Sequence, residues 1–197
     1  MRLDLEQAVV CIIGLGYVGL PLARAFSKSL RVIGFDTDPD KVNQFRQQGS
    51  SNQPNFEFTA DPAEISQADF IIICVPTPVT KSKEPDLSYI RSAAEITGQN
   101  LKRGTIVILE STVYPGVTEE ILKPILEKES GLKCSADFKV GYSPERINPG
   151  DDEHALDKIT KVVAGMDDDT TAIMAELYRK VTPHIFKARD VKTAEAA

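Results

Sequence analysis

The chain has 197 residues, 42% of them hydrophobic, and its 29 acidic against 23 basic side chains give a formal net charge of −6 at pH 7. That length carries a substantial core in one large domain, or in one domain with a short appendage, and the acidic balance argues against a nucleic-acid partner, which needs clustered Lys and Arg. No apolar run reaches membrane-spanning length and the opening residues lack the form of a signal peptide, so we expect a soluble, cytoplasmic protein with no membrane partner.

Residues 8–13 form an unbroken apolar run rich in β-branched side chains, short enough to be a strand buried on both faces of a parallel sheet. Gly14-Leu15-Gly16-Tyr17-Val18-Gly19 follows with the spacing G-x-G-x-x-G, and Val18, Leu22, Ala25 and Phe26 then recur at helical spacing. The glycines therefore sit where a strand turns into a helix N-terminus. There Gly14 permits the tight turn, Gly16 lets the backbone approach a pyrophosphate, and Gly19 lets the helix pack close to the strand. Free N–H groups of the first turn and the positive end of the helix dipole supply the attraction, and Pro21 falls where its missing N–H costs little. A second strand, residues 30–35, ends in Asp36, about 20 residues past the first glycine, where a dinucleotide site needs a carboxylate for the adenosine ribose hydroxyls. The same charge would repel a 2′-phosphate, so the pattern predicts NAD rather than NADP.

Asp38-Pro39 opens a helix through about residue 47, with Gly49 past its end. Lys41 on its first turns either touches the adenosine half of the cofactor or is a solvated surface lysine. A short strand at residues 56–59 and a helical connection at 61–67 lead to the strand 69–75, which stops at Pro76-Thr77-Pro78. Two prolines fix an extended turn at a strand's carboxyl end, the edge where ligands bind in open α/β sheets, so Thr77 reads equally as a cofactor contact or as part of a plain loop. Residues 79–86 are a polar surface loop, and residues 87–100 a helix with Ile90, Ala93, Ala94 and Thr97 on one side. The strand 105–109 runs into Glu110-Ser111-Thr112, and Pro115-Gly116 turns into a helix at about 117–127, again with small hydroxyl residues before a helix start.

The strand 138–142 leads into Ser143-Pro144-Glu145-Arg146, where a carboxylate and a guanidinium stand side by side on a strand-end loop. A strand at 161–164, a helix at 168–180 and a short strand at 184–186 follow, and residues 190–197 start like a helix and stop without a cap. Alternating strands and helices predict an α/β fold: a Rossmann-like, doubly wound, mostly parallel sheet with helices on both faces. Residues 1–189 would form the NAD-binding domain and 190–197 the start of a linker helix to a further domain. Cys11 and Cys74 fall in apolar strands, Cys134 in a polar stretch without a nearby His, and no CxxC occurs, so none is promoted to a nucleophile and no metal site is expected.

The ordered set GLGYVGLP, the strand-ending Phe35-Asp36, VPTP, ESTVYPG and YSPERINPGD resembles the nucleotide-sugar 6-dehydrogenases of the UDP-glucose/GDP-mannose dehydrogenase family over essentially the whole chain. Its YSPERINPGDDEH segment is most similar to the branch that oxidises UDP-N-acetylhexosamines for capsule and Vi-type polysaccharides. The resemblance implies a UDP-sugar oxidised twice at C6 with NAD, from alcohol through a thiol-bound aldehyde to a carboxylate, by a full-length homodimer. By motif, Tyr17, Val18, Asp36, Lys41, Thr77 and Thr112 would line the NAD site, beside the cradle of Gly14, Gly16 and Gly19. Glu145 would assist proton transfer and water attack on the thioester, while Arg146 and Ile147 would touch the substrate. The family's catalytic cysteine, in a glycine-rich motif, and its lysine and asparagine have no counterpart here, so the chain is expected to bind cofactor without turning over substrate. Two other readings are another β-hydroxyacid-type NAD dehydrogenase, against which VPTP and YSPER argue, and a non-catalytic NAD-sensing module, for which no basic recognition helix is visible.

Overall fold

The structure, a computed structural model, describes residues 4–49, 54–145 and 159–197. In chain order its strands are β1 (Val9–Ile13), β2 (Arg31–Phe35), β3 (Phe56–Thr59), β4 (Phe70–Ile73), β5 (Ile106–Leu109), β6 (Lys139–Tyr142), β7 (Lys161–Gly165) and β8 (Ile185–Lys187). They form one sheet in the order β3-β2-β1-β4-β5-β6-β7-β8. The first six run parallel, so every carboxyl end from β3 to β6 lies on one edge. The order reverses between β1 and β4, which opens a crevice at that edge.

Burial on both faces explains the apolar runs. Along β1, Val10 and Ile12 pack into one cluster while Cys11 and Ile13 pack into the other, and β4 and β5 alternate in the same way. One face is covered by α1 (Gly19–Phe26), α2 (Pro39–Gly49) and α5 (Asp168–Tyr178), through Leu22, Val42 and Met174. The other is covered by α3 (Ser88–Gln99), α4 (Lys123–Ser130) and α6 (Val191–Glu195), through Ile90, Leu126 and Val191. In α3 the side expected to be buried is buried: Ile90, Ala93, Ala94 and Thr97.

Two local departures have physical causes. The helical connection after β3 is a 3₁₀ helix, Pro62–Gln67, with the Asp61 side chain accepting from the Ala63 N–H at its start. The helix expected from residue 117 begins as a wide π turn, Thr118–Leu122, and becomes regular only in α4. Pro124 has no N–H for the carbonyl four residues back, and the wide turn lies just ahead of it. The helix start expected at residue 190 is present as α6, where the Asp190 carboxylate accepts from the Thr193 N–H at 2.7 Å.

The sheet also reverses once. β7 pairs antiparallel with β6, Gly141 against Gly165 and Tyr142 against Ala164, and β8 then runs parallel to β7. The reversal brings the beginning of β7 to the edge where β1 to β6 end. No described helix is long and apolar enough to cross a membrane.

Candidate functional site: a cavity along the carboxyl edge

A cavity of about 260 Å³ follows this edge, from Asp36 after β2, past the glycine turn after β1, to Glu110 after β5 and Glu145 after β6. Gly14, Gly16, Tyr17, Val18, Asp36, Lys41, Thr77, Thr112 and Glu145 all line it. Gly19 does not, and Arg146 and Ile147 lie outside the described residues.

Each glycine of the turn is required for a different reason. Gly14 has φ +92, and a Cβ there would lie 2.7 Å from the Cys74 carbonyl oxygen. At Gly19 a Cβ would lie 1.9 Å from the Gly14 carbonyl oxygen, so α1 can approach β1 only without a side chain at this position. Gly16 is different: an added Cβ would meet no protein atom within 4 Å, and the residue lines the cavity. The fold does not demand glycine there, whereas a close-lying pyrophosphate would.

The helix that follows is left open in the same sense. Its N-cap, Val18, makes no side-chain cap bond and its first turn contains no acidic residue, while α5 and α6 are both capped by aspartates. The first-turn N–H groups of any helix lack intrahelical partners. Here the Leu20 and Leu22 N–H groups bond to the carbonyls of Gly16 and Val18, so what is left without a compensating side chain is the positive dipole end, beside the cavity wall of Gly16, Tyr17 and Val18. These observations fit the pyrophosphate of a dinucleotide.

Asp36 is buried at the far end. One of its carboxylate oxygens accepts from the Leu15 N–H at 2.9 Å and from the Lys41 ammonium at 2.5 Å, and the other accepts from the Asp38 N–H at 3.2 Å. Burial pushes this carboxyl up, but the Lys41 ammonium and the two N–H groups outweigh it, and the acid is held below its ordinary value. Asp36 is therefore ionised at neutral pH, and Lys41, left open by the sequence, is its ion-pair partner within the cavity wall.

Two cross-links hold the opposite end. The Thr77 hydroxyl donates to the Thr112 carbonyl at 2.7 Å, and the Ser111 hydroxyl donates to the Val75 carbonyl at 2.7 Å. They fasten the loop after β4 to the loop after β5. From α3, Tyr89, Ser92, Ala93 and Ile96 add a wall that sequence reasoning missed. Their spacing is helical, and it could have been found as a second stripe beside the core stripe of the same helix.

The other feature missed is a buried charge cluster. Lys161 and Glu110, 1% and 0% exposed in their side chains, form an ion pair, and the Tyr178 hydroxyl donates to the second oxygen of Glu110. Nothing in the sequence pairs residues so far apart; the only signal is a lysine opening an otherwise apolar strand. The thiols are poorly disposed to act as nucleophiles. Cys11, Cys74 and Cys134 are free, and burial raises the pKa of all three. Among the described residues no group of three or more His, Cys, Asp or Glu side chains is placed to hold a metal ion.

Residues 8–182 match the model of the UDP-glucose/GDP-mannose dehydrogenase family, NAD binding domain. Protein CapL of Staphylococcus aureus is 45% identical over 95% of this chain and 47% of its own length. The UDP-N-acetyl-D-glucosamine 6-dehydrogenase of Pseudomonas aeruginosa is 44% identical over 98% of this chain and 48% of its own. Among solved structures, the NDP-N-acetyl-D-galactosaminuronic acid dehydrogenase of Methanosarcina mazei Go1 superposes with a TM-score of 0.87 at 29% identity, over 97% of this chain and 46% of that one. The chain thus spans about half the length of the relatives it matches. The glycine cradle, the buried carboxylate at the end of β2 and a match over nearly the whole chain converge, and the chain belongs to the UDP-glucose/GDP-mannose dehydrogenase family, as its NAD binding domain.

Proposed function

We propose that this chain is the cofactor-binding half of a nucleotide-sugar 6-dehydrogenase that oxidises C6 of a UDP-N-acetylhexosamine twice, to the uronic acid. The observation that carries the reading is the continuous cavity from Asp36 across Gly16 to Glu145. The similarity to CapL and to the Pseudomonas 6-dehydrogenase supports the choice of sugar. Bound NAD⁺ supplies the electron acceptor for both oxidations.

The chain's own residues bind and orient. Asp36 would accept hydrogen bonds from the adenosine ribose hydroxyls, and the turn shaped by Gly14 would bring the N–H groups of Gly16 and Tyr17 to the pyrophosphate. Tyr17, Val18 and Lys41 would border the adenosine and phosphate half, and Thr77 and Thr112 the half nearer the sheet's centre. Glu145, on the loop after β6, would be the carboxylate that takes a proton and activates water, and by the family resemblance Arg146 and Ile147 would touch the sugar. With all three thiols protonated, the nucleophile would come from the protein's other half, reached through α6 as a linker. We place the full-length enzyme in the cytoplasm as a homodimer, on the strength of the family resemblance.

Titration of the chain with NAD⁺ and NADP⁺ tests the cofactor reading, since a 2′-phosphate would meet the Asp36 carboxylate. A clear preference for NAD⁺ is expected, and equal affinity or a preference for NADP⁺ would overturn it. Incubation with NAD⁺ and UDP-N-acetylglucosamine should give no NADH from this chain alone. Sustained, protein-dependent NADH would mean that a nucleophile lies within it.

A further inference from the structure

Burying an ion pair is rarely a gain in stability over apolar side chains of the same size, so the position of the Lys161–Glu110 pair calls for another reason. Lys161 begins β7, and because β7 runs against β6 its ammonium comes to the edge where the cavity lies. The ammonium is held from two sides: it pairs with Glu110, itself a cavity residue, and it sits 5.4 Å from the centre of the Tyr178 ring. Its remaining bond goes to the Pro144 carbonyl at 3.1 Å, the peptide oxygen that joins Pro144 to Glu145.

The chain leaving β6 is tied down residue by residue. The Tyr142 hydroxyl donates to the Ser111 carbonyl at 3.1 Å, and the Ser143 N–H and hydroxyl donate to the carbonyls of Leu109 and Val162. Pro144 has no N–H to offer, so the bond accepted by its carbonyl is the last tie before Glu145. If Asp36 holds the adenosine ribose and Gly16 the pyrophosphate, the nicotinamide half of the dinucleotide must lie toward Glu110 and Glu145.

We propose that Lys161 is a positioning residue whose ammonium, anchored on Glu110 and Tyr178, fixes the Pro144–Glu145 peptide at the nicotinamide end of the cavity. The inference rests on the cofactor reading above. It is tested by the ratio of two affinities, for NAD⁺ and for ADP-ribose, which lacks the nicotinamide. Replacing Lys161 alone would strand the Glu110 charge in the interior and endanger the fold, so the deciding variant is the double Glu110→Gln/Lys161→Met, which buries two neutral side chains of similar size. It should bind ADP-ribose within about twofold of the unaltered chain while its Kd for NAD⁺ rises by roughly tenfold, the loss of about one well-placed interaction. A folded double variant whose two affinities fall together, or do not move, overturns the positioning role and leaves the cofactor reading standing. An unaltered chain that binds neither ligand overturns both.

Discussion

Replacing Lys161 by Met removes the ammonium from a site where both partners' side chains are at most 1% exposed, while the methionine stem still fills the space of the lysine stem. Glu110 is then left with the hydrogen bond from the Tyr178 hydroxyl and without its opposite charge. Breaking one partner out of a buried pair costs about 3–5 kcal/mol, a large part of the 5–15 kcal/mol by which a domain is stable. At about 2–4 °C per kcal/mol for a chain of this size, the thermal midpoint should fall by roughly 6–20 °C. The chain has no Trp, so far-UV circular dichroism or Tyr fluorescence during urea and thermal unfolding is the assay. Glu110→Gln introduced beside Lys161→Met should restore most of the loss, because the neutral amide leaves no charge to desolvate. A loss below about 1 kcal/mol in both urea and heat would mean that water reaches the pair, and the account of a dry ion pair would be withdrawn.

Two glycines separate fold from ligand. Gly16→Ala should unfold within about 0.5 kcal/mol of the parent, since its Cβ meets nothing, yet weaken NAD⁺ at least about tenfold in a calorimetric titration. Gly19→Ala should cost about 1–3 kcal/mol or more by forcing α1 off β1, and equal stability of the two variants would refute this assignment. Acid should remove the part of the stability owed to Asp167. Although burial pushes its carboxyl up, the Lys139 ammonium and the bonds from Thr170 bring it down to about 2. A group depressed in the folded state stabilises above its unfolded value of about 4 and loses that contribution as the pH falls toward 2. Urea midpoints should therefore converge for parent and Asp167→Ala over that interval, and a gap that stays constant down to pH 2 would contradict the shift. In the full-length enzyme, Glu145→Gln should slow product formation by about 10²–10⁴ with NAD⁺ affinity within about twofold, and unchanged turnover would remove the catalytic role.

What the sequence made legible was local in period. The strand, glycine turn and helix of residues 8–26, the Asp36 that ends β2 and the core side of α3 all declare themselves within windows of a few turns. So did the placing of Thr77, Thr112 and Glu145 at strand ends, because prolines and short hydroxyl residues punctuate an apolar run there. The reversal of β7 left no trace, since a strand of the type Lys161–Gly165 has the same pattern in either direction. The charge cluster depends on that reversal, with Glu110, Lys161 and Tyr178 contributed by the loop after β5, by β7 and by α5. Lys41 stayed open because its partner is fixed by the turn after β2, which alternation of polar and apolar residues does not describe.

One carboxylate also gives the molecule an order of assembly. Glu195 of α6 accepts from the N–H groups of Gly116 and Thr118 at 2.5 and 2.8 Å, so the helix start after β5 is capped by a side chain 77 residues further along rather than by its own sequence. Local helix formation cannot satisfy those two amides. They stay exposed to solvent exchange until the last helix docks, and every transient undocking of α6 opens them again even while the sheet stays intact. Their deuterium exchange rates therefore read the opening of the chain's last helix from a point just beyond Thr112, and Glu195→Ala should bring both amides to the exchange rate of a frayed helix end.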